Sequence, residues 1–467
     1  MSGPREECGV LGVATSGSEA ARMGFFGLYA LQHRGQEAAG LAVSDGRAAT
    51  IHKGVGLVGQ VFGTGTLDPL VGPFAIGHTR YSTTGDSSER NAQPYVVETL
   101  HGPLGVAHNG NLVNADELRS ELLGRGAGLQ STSDTEVIAL HLAAADGSTW
   151  EDRLANLLPR LLGAVSLVVL TADRVLAARD PWGFRPLAMG RLPDGGHVVA
   201  SESGALRTLG CVDEREIEPG EIVTLNGTLA RSRQAVDPVE PGARCTFEHI
   251  YFSRPDAVWD GRLVHEVRQQ LGAQLAREHA VDADVVIPVP DSSMPAAIGF
   301  SQVSGVPYNE GFVKNRYIGR TFIEPTDQLR RQGVALKFNT LRPNLEGRRV
   351  VMIDDSVVRG TTAGQLVRLV RDAGASEVHL RVTCPPIAHP CFFGVAMGTY
   401  DELISHHLTV PELNDHLGAD SLGFLSVEGL MKAIGRDDGY CNACFTGEYP
   451  VPVPEIRSKS RFEGVLS

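Results

Sequence analysis

Four groups of residues in this chain have types and spacings that could do chemistry. The first is Cys8, which follows seven polar residues, MSGPREE, and leads into the apolar run GVLGV. If that leader were removed, Cys8 would carry both a thiol and a free α-amine. An amine with a solution pKa near ~8 can activate its own nucleophile. The alternative for a free cysteine is burial as a small apolar residue in a first strand. The second group is DDSVVRGTT, residues 354–362, directly after the apolar run RRVVMI. Paired acids at a strand end need a bound partner, and Gly360, Thr361 and Thr362 open a helix whose N-H groups and dipole can cradle a phosphate. Asp354 and Asp355 would then hold ribose hydroxyls or a Mg²⁺. The third group, DVVIPVPDSSMPAAIGF, repeats this logic with Asp291, Ser292 and Ser293 between strand and helix. The fourth is a set of cysteines, Cys245, Cys391 and the C-x-x-C pair Cys441 and Cys444. Four thiolates can hold Zn²⁺ or a 4Fe-4S cluster, and spacing alone does not choose between them.

The elements that position these groups fall into two halves. At 467 residues the chain is long enough for two domains. Residues 8 to 230 carry short β-like runs such as PFAIGHTRY, PLGVAHNG and VSLVVLTA between turn residues. Two helical patterns, AARMGFFGLYALQHR and DTEVIALHLAAA, accompany them. This half reads as layered α and β with mostly antiparallel strands. Residues 231–244, RSRQAVDPVEPGAR, have no period and two prolines, which marks a domain boundary. Beyond it, DVVIPVP and RRVVMI are apolar runs of the buried parallel kind, each followed by a polar loop and a helical pattern. SEVHLRVT supplies the next strand, so this half is predicted to be doubly wound with its ligand at the carboxyl ends of the strands.

The formal charge of -13 argues against a non-specific nucleic-acid binder. Within that acidic chain, Lys314 to Arg359 holds ten Lys or Arg against five Asp or Glu, an island suited to a small polyanion. No apolar stretch reaches the ~18 residues of a membrane span and no secretory h-region follows Met1, so a cytoplasmic protein without membrane contact is expected. Seven cysteines in such a chain point to metal or catalysis rather than disulfides. Cys211 and Cys384 read as core residues.

The segment VVMIDDSVVRGTT resembles the type I phosphoribosyltransferases over all thirteen residues. The resemblance implies that Asp354 and Asp355 contact ribose and metal and that Arg359, Gly360, Thr361 and Thr362 take a 5′-phosphate. It also implies that Ser292 contacts Mg²⁺ and that Lys314 and Arg316, with Arg320, Arg330, Arg331 and Lys337, neutralise pyrophosphate. The stretch from Thr326 to Lys337 would close over the substrate to keep water from the reacting ribose C1.

The first half resembles the N-terminal-nucleophile glutamine amidotransferases. CGVLGV, ALQHRGQEAAG, GHTRYSTTG, HNGNLVN and STSDTEV carry that resemblance, in that family's order, across some 230 residues. It implies Cys8 as nucleophile, Asn109 and Gly110 as oxyanion donors, Arg80 gripping the glutamine carboxylate and Asp134 its ammonium. Both halves together resemble the amidophosphoribosyltransferase family. That resemblance implies an αββα N-terminal-nucleophile glutaminase domain (8–235) behind a cleaved propeptide (1–7), then a type I phosphoribosyltransferase domain (245–467) that includes the cysteine region. The implied reaction makes 5-phosphoribosylamine, glutamate and pyrophosphate from glutamine, water and 5-phosphoribosyl 1-diphosphate (PRPP). One branch of the family holds a 4Fe-4S cluster on four cysteines placed like Cys245, Cys391, Cys441 and Cys444. A homotetramer restrained by purine nucleotides is further implied. A phosphoribosyl-fold regulator without chemistry is the rival, but no helix-turn-helix signal accompanies it.

Overall fold

A computed structural model describes residues 8–81, 88–315, 337–397 and 399–454. The first half builds two antiparallel sheets. One runs in the order Val212–Glu216, Ala188–Arg191, His197–Ala200, Gly9–Ala14, Phe74–Arg80, Ala38–Ser44, Ala49–Val55. The other runs Leu229–Gln234, Glu221–Asn226, Val175–Arg179, Gly163–Leu170, Gly102–Leu112, Tyr95–Thr99.

The pleat sends alternate residues to opposite faces, and here both faces of each sheet are covered. Val10, Phe74 and Ile76 of the first sheet meet Val168, Leu170 and Val223 of the second in a shared middle core. Leu11, Val13 and Leu41 pack outward against the helix Ala20–Ala30. On the other side Val165, Leu167 and Val169 pack under the helices Ala115–Gly124 and Asp134–Ala144. The result is a four-layer αββα sandwich. It explains why GAVSLVVL reads as a continuous apolar run: all eight residues of that strand are buried, with a sheet on one side and helices on the other. Each fully buried Val or Leu there contributes about 1.5–3 kcal/mol.

The aperiodic boundary segment 231–244 begins inside a strand. Arg231 to Gln234 belong to the strand Leu229–Gln234, which pairs along its length with Glu221–Asn226. Every side chain of that edge strand is exposed, so it carries no apolar alternation by which the sequence could announce it.

The second half is a parallel sheet in the order Val285–Pro288, Arg349–Asp354, Glu377–Val382, Ser421–Phe424. All of the first strand and five of six residues in each of the next two are buried, as expected for strands covered on both faces. The helix Thr361–Asp372 follows the acid pair and buries Ala363, Leu366, Val367 and Val370. Among the described residues no helix is long and apolar enough to cross a membrane.

Candidate active sites

Cys8 lies at the start of the central strand Gly9–Ala14. Its neighbour Gly9 pairs with Thr79, so one step further along this antiparallel register Cys8 faces Arg80. The thiol is buried and its Sγ donates to the Tyr81 carbonyl at 3.3 Å. Arg80 is buried at the end of its strand, and its positive field reaches both His78 and Asp134.

Asp134 is delivered by helix capping. Ser133 is the N-cap, its Oγ accepting from Thr135 N at 3.2 Å, and Asp134 opens the helix with its carboxylate at the favourable dipole end. Glu136 braces the preceding loop by accepting from Gln130 N, Ser131 N and Oγ, and Tyr95 Oη at 2.6–2.7 Å. Asp134 Oδ2 accepts from Leu112 N at 3.2 Å and lies 3.6 Å from His108 Nδ1. Burial would raise its pKa, but His108, the Leu112 N-H and Arg80 outweigh that and hold the carboxyl below its ordinary range. His78 goes the other way. Burial first, then the neighbouring Arg80, pushes it down to about 3, so it is a neutral ring bonded to the His108 carbonyl at 3.1 Å.

Asn109 and Gly110 sit on the strand Gly102–Leu112 between these groups. Asn109 is buried, and among the described residues its Nδ2 has no hydrogen-bond partner. A buried amide donor without an acceptor is costly unless a ligand supplies one. Gly110 has φ +146, and a Cβ there would come within 1.9 Å of the Ala164 carbonyl. Only glycine allows this local turn of the strand. The arrangement gathers a thiol, an unpaired donor, a buried cation and a buried anion, a set that matches an amino acid with a reactive carbonyl.

At the second site, Asp354 ends its strand and Asp355 follows; both are buried. Burial, then the adjacent Asp355 charge, raises Asp354 well above the ordinary carboxyl range. Ser292 Oγ donates to Asp355 Oδ2 at 2.5 Å, which joins the two strand-to-helix loops that sequence reading treated separately. Two buried carboxylates and a hydroxyl fit a divalent cation. Gly360, at φ +72, caps the N-terminus of the helix Thr361–Asp372, leaving Thr361 exposed and Thr362 partly so. Arg359 donates to Glu402 Oε1 at 2.6 Å and Lys314 to Asp291 Oδ2 at 2.6 Å. Lys314 and Asp291 line a cleft of about 300 Å³, walled also by Pro288, Pro290, Met294, Glu310 and Phe312. Arg316, Arg320, Arg330 and Arg331 lie outside the described residues.

Cys245, Cys391, Cys441 and Cys444 line one small cavity of about 20 Å³. Cys245 pairs with Cys441 across a short parallel ladder, Cys444 lies in the turn of helix Ala443–Thr446, and Cys391 Sγ accepts from Phe393 N at 3.4 Å. Among the described residues no three His, Cys, Asp or Glu side chains are gathered closely enough to hold a single metal ion. Four thiols lining one cavity are a donor set with the chemistry to hold a metal centre. Burial pushes the Cys441 thiol up to about 12, so thiolates there would require a positive partner. Cys211 sits in the outer core beside the helix Ala20–Ala30, and Cys384 is fully buried.

Sequence reading missed a buried charge cluster between the two halves. Arg34 Nε donates to the Cys8 carbonyl at 3.2 Å, while its Nη atoms reach Glu202 and Glu248. Arg185 stands 3.6 Å from Glu248, and His33 Nε2 lies 2.8 Å from Glu202. Its members are far apart in the chain, and the only local sign was a charged HRGQE after an apolar helix.

Comparison with known proteins covers both halves of the chain. Residues 78–208 match a family model described as a glutamine amidotransferase domain. The chain is 46% identical to the amidophosphoribosyltransferase of Synechococcus elongatus, covering 99% of this chain and 96% of that one. It is 47% identical to the Bacillus subtilis amidophosphoribosyltransferase, covering 97% and 96%. A solved structure of the B. subtilis glutamine PRPP amidotransferase complexed with ADP and GMP superposes with a TM-score of 0.90 at 46% identity, covering 97% of this chain and 99% of that one. With both halves matched in order and nearly end to end, the chain belongs to the amidophosphoribosyltransferase family, the glutamine-dependent transferases of the first step of purine biosynthesis.

Proposed function

We propose that the two sites divide the reaction as follows, and that the unpartnered buried donor Asn109 Nδ2 is the observation that carries the assignment. The Cys8 thiolate attacks the glutamine side-chain amide, its own α-amine relaying the proton to the departing ammonia, and water then hydrolyses the thioester. Asn109 Nδ2 and Gly110 N-H stabilise the tetrahedral oxyanion. Arg80 holds the glutamine carboxylate and Asp134 its ammonium, roles that suit their buried opposite charges. That amine requires removal of Met1 to Glu7, so the chain is read as a zymogen.

At the second site Arg359, Gly360, Thr361 and Thr362 bind the 5′-phosphate, and Asp354 and Asp355 the ribose hydroxyls. Lys314 and Arg316 serve the pyrophosphate, so that ammonia replaces it at ribose C1. Ser292, Asp354 and Asp355 would hold Mg²⁺, which supplies charge neutralisation to the leaving pyrophosphate. Cys245, Cys391, Cys441 and Cys444 would hold a 4Fe-4S cluster, a structural or regulatory group away from the reacting atoms. The domains are taken as 1–7, 8–235 and 245–467. A cytoplasmic homotetramer inhibited by purine nucleotides completes the reading, and the relative solved with ADP and GMP supports its nucleotide part.

Cys8→Ala tests the division of labour. Glutamine-dependent synthesis should vanish while synthesis from added ammonium persists, and equal loss of both would refute it. The intact mass of active enzyme should begin at Cys8.

A further inference from the structure

The turn that follows Cys391 is built into the wall of the glutamine site. Asn111, two residues beyond Asn109 on the same strand, donates from Nδ2 to the Phe392 carbonyl at 2.9 Å across 281 positions of sequence. Gly394 lies directly against Gly110: a Cβ on Gly394 would come within 3.4 Å of Gly110 Cα and C and 3.3 Å of Arg185 Nη2. Arg185 donates from Nε and Nη2 to the intervening Phe393 carbonyl at 3.0 and 2.6 Å. The Phe393 ring stacks on Phe184 at 4.3 Å, and the Phe184 carbonyl accepts from Cys245 N at 3.1 Å. The same turn therefore touches the oxyanion strand at two places, follows Cys391 directly and reaches the Cys245 segment through Phe184.

A second line of contacts reaches the nucleophile. Arg185 stands 3.6 Å from Glu248, Glu248 is paired with Arg34, and Arg34 donates to the Cys8 carbonyl. Both the nucleophile and its oxyanion donors are thus braced against Phe392–Gly394. The turn contributes backbone carbonyls and an aromatic ring, so its effect is on geometry rather than on proton transfer. The Phe392 carbonyl accepts from the residue directly after Gly110, where glycine offers little conformational resistance of its own.

We propose that Asn111 is a positioning residue of the glutamine site, tying the oxyanion strand to the turn after Cys391 and carrying the coupling between that site and the cysteine cavity. The proposal rests on the roles given above to Asn109 and Gly110 and on the cluster reading of the cavity. The link makes the second domain a structural part of the first domain's catalytic geometry. Phosphoribosyl transfer from free ammonia does not pass through Asn111.

Two measurements on the processed full-length holoenzyme test it. In Asn111→Asp, which keeps the size but removes the donor, kcat for glutamine hydrolysis should fall about 10- to 100-fold, the cost of misplacing reacting groups by an ångström or less. KM should change little and the ammonia-dependent rate should be retained. In the wild type, alkylating Cys8 with a glutamine-like chloroketone should slow bleaching of the cluster's visible absorption in air about fivefold, an ordinary strength for coupled sites, and Asn111→Asp should lose that protection. Unchanged kcat in Asn111→Asp, or parallel loss of glutamine- and ammonia-dependent rates, overturns the role of Asn111. Bleaching in the wild type that ignores alkylation overturns the coupling. A holoenzyme with no iron and no visible band refutes the cluster reading instead, and the kcat comparison still decides the role of Asn111.

Discussion

Arg34 and Glu248, 214 positions apart, form a two-pronged ion pair with no exposed side-chain surface. Arg34 Nη2 donates to Oε1 at 2.6 Å and Nη1 to Oε2 at 3.1 Å. Burial by itself would raise Glu248, but the Arg34 charge and hydrogen bonds more than offset it and hold the carboxyl below its ordinary range. Glu202 accepts the same Nη1, and Arg185 stands 3.6 Å from Glu248 as a further cation.

Removing one member of such a cluster leaves charge stranded in low dielectric. Arg34→Met should therefore destabilise the protein by about 3–5 kcal/mol, read from urea unfolding. Arg34→Met combined with Glu248→Gln should recover a large part of that loss. A single variant as stable as wild type would show that the pair is not desolvated in solution.

Asn109→Ala removes the orphaned donor without leaving a buried charge. Its kcat for glutamine hydrolysis should fall about 10²–10³-fold, the usual effect of deleting one oxyanion donor. Because Asn109 Nδ2 has no described partner to lose, the melting temperature should hold or rise slightly.

The acid pair sets function against stability. Asp354 is disfavoured as an anion by burial and by Asp355, so Asp354→Asn relieves a cost that the free protein bears at neutral pH. Calorimetry should show a rise of about 2–4 °C per kcal/mol relieved. Synthesis with glutamine or ammonium should drop sharply together. A lower melting temperature would mean that Asp355 N-H, which donates to Asp354 Oδ1 at 2.9 Å, depends on the carboxylate more than the repulsion costs.

Two buried neutral histidines give the acid limb of stability. His78 and His249 are both held down to about 3, chiefly by burial, then by Arg80 and Arg268 respectively. Unfolded, each titrates near ~6.5. Below that value the unfolded chain binds protons that the folded chain refuses, so stability falls as pH drops from ~6.5 toward 3. Each histidine contributes about 1.4 kcal/mol per pH unit in that window. Urea midpoints at pH 7, 6 and 5 should show the decline, and His78→Gln should reduce its slope by one histidine's share. An unchanged slope would mean that His78 takes up a proton in the folded state.

What the sequence by itself determined are the features carried by contiguous residues. A buried strand, an acid pair and a glycine-led helix lie within thirteen positions, so DDSVVRGTT is legible from local physics as a strand-to-helix loop with an open helix N-terminus. The same holds for Ser133 and Asp134, whose helix start is written in STSDTEV, and for the eight-residue apolar run that becomes a strand covered on both faces. Tertiary structure alone decided which distant groups would meet. Arg34, Arg185, Glu202 and Glu248 are charged types that ordinarily face water, and each tolerates burial only because partners from both halves of the chain converge on it. Asn111 likewise reads as part of a turn-like HNGN until the fold brings Phe392 to its amide. The edge strand to Gln234 was hidden because its side chains face solvent and bury nothing. Local sequence sets propensities over a few residues. The cost of desolvating a charge or an amide is met only by contacts that the completed fold supplies.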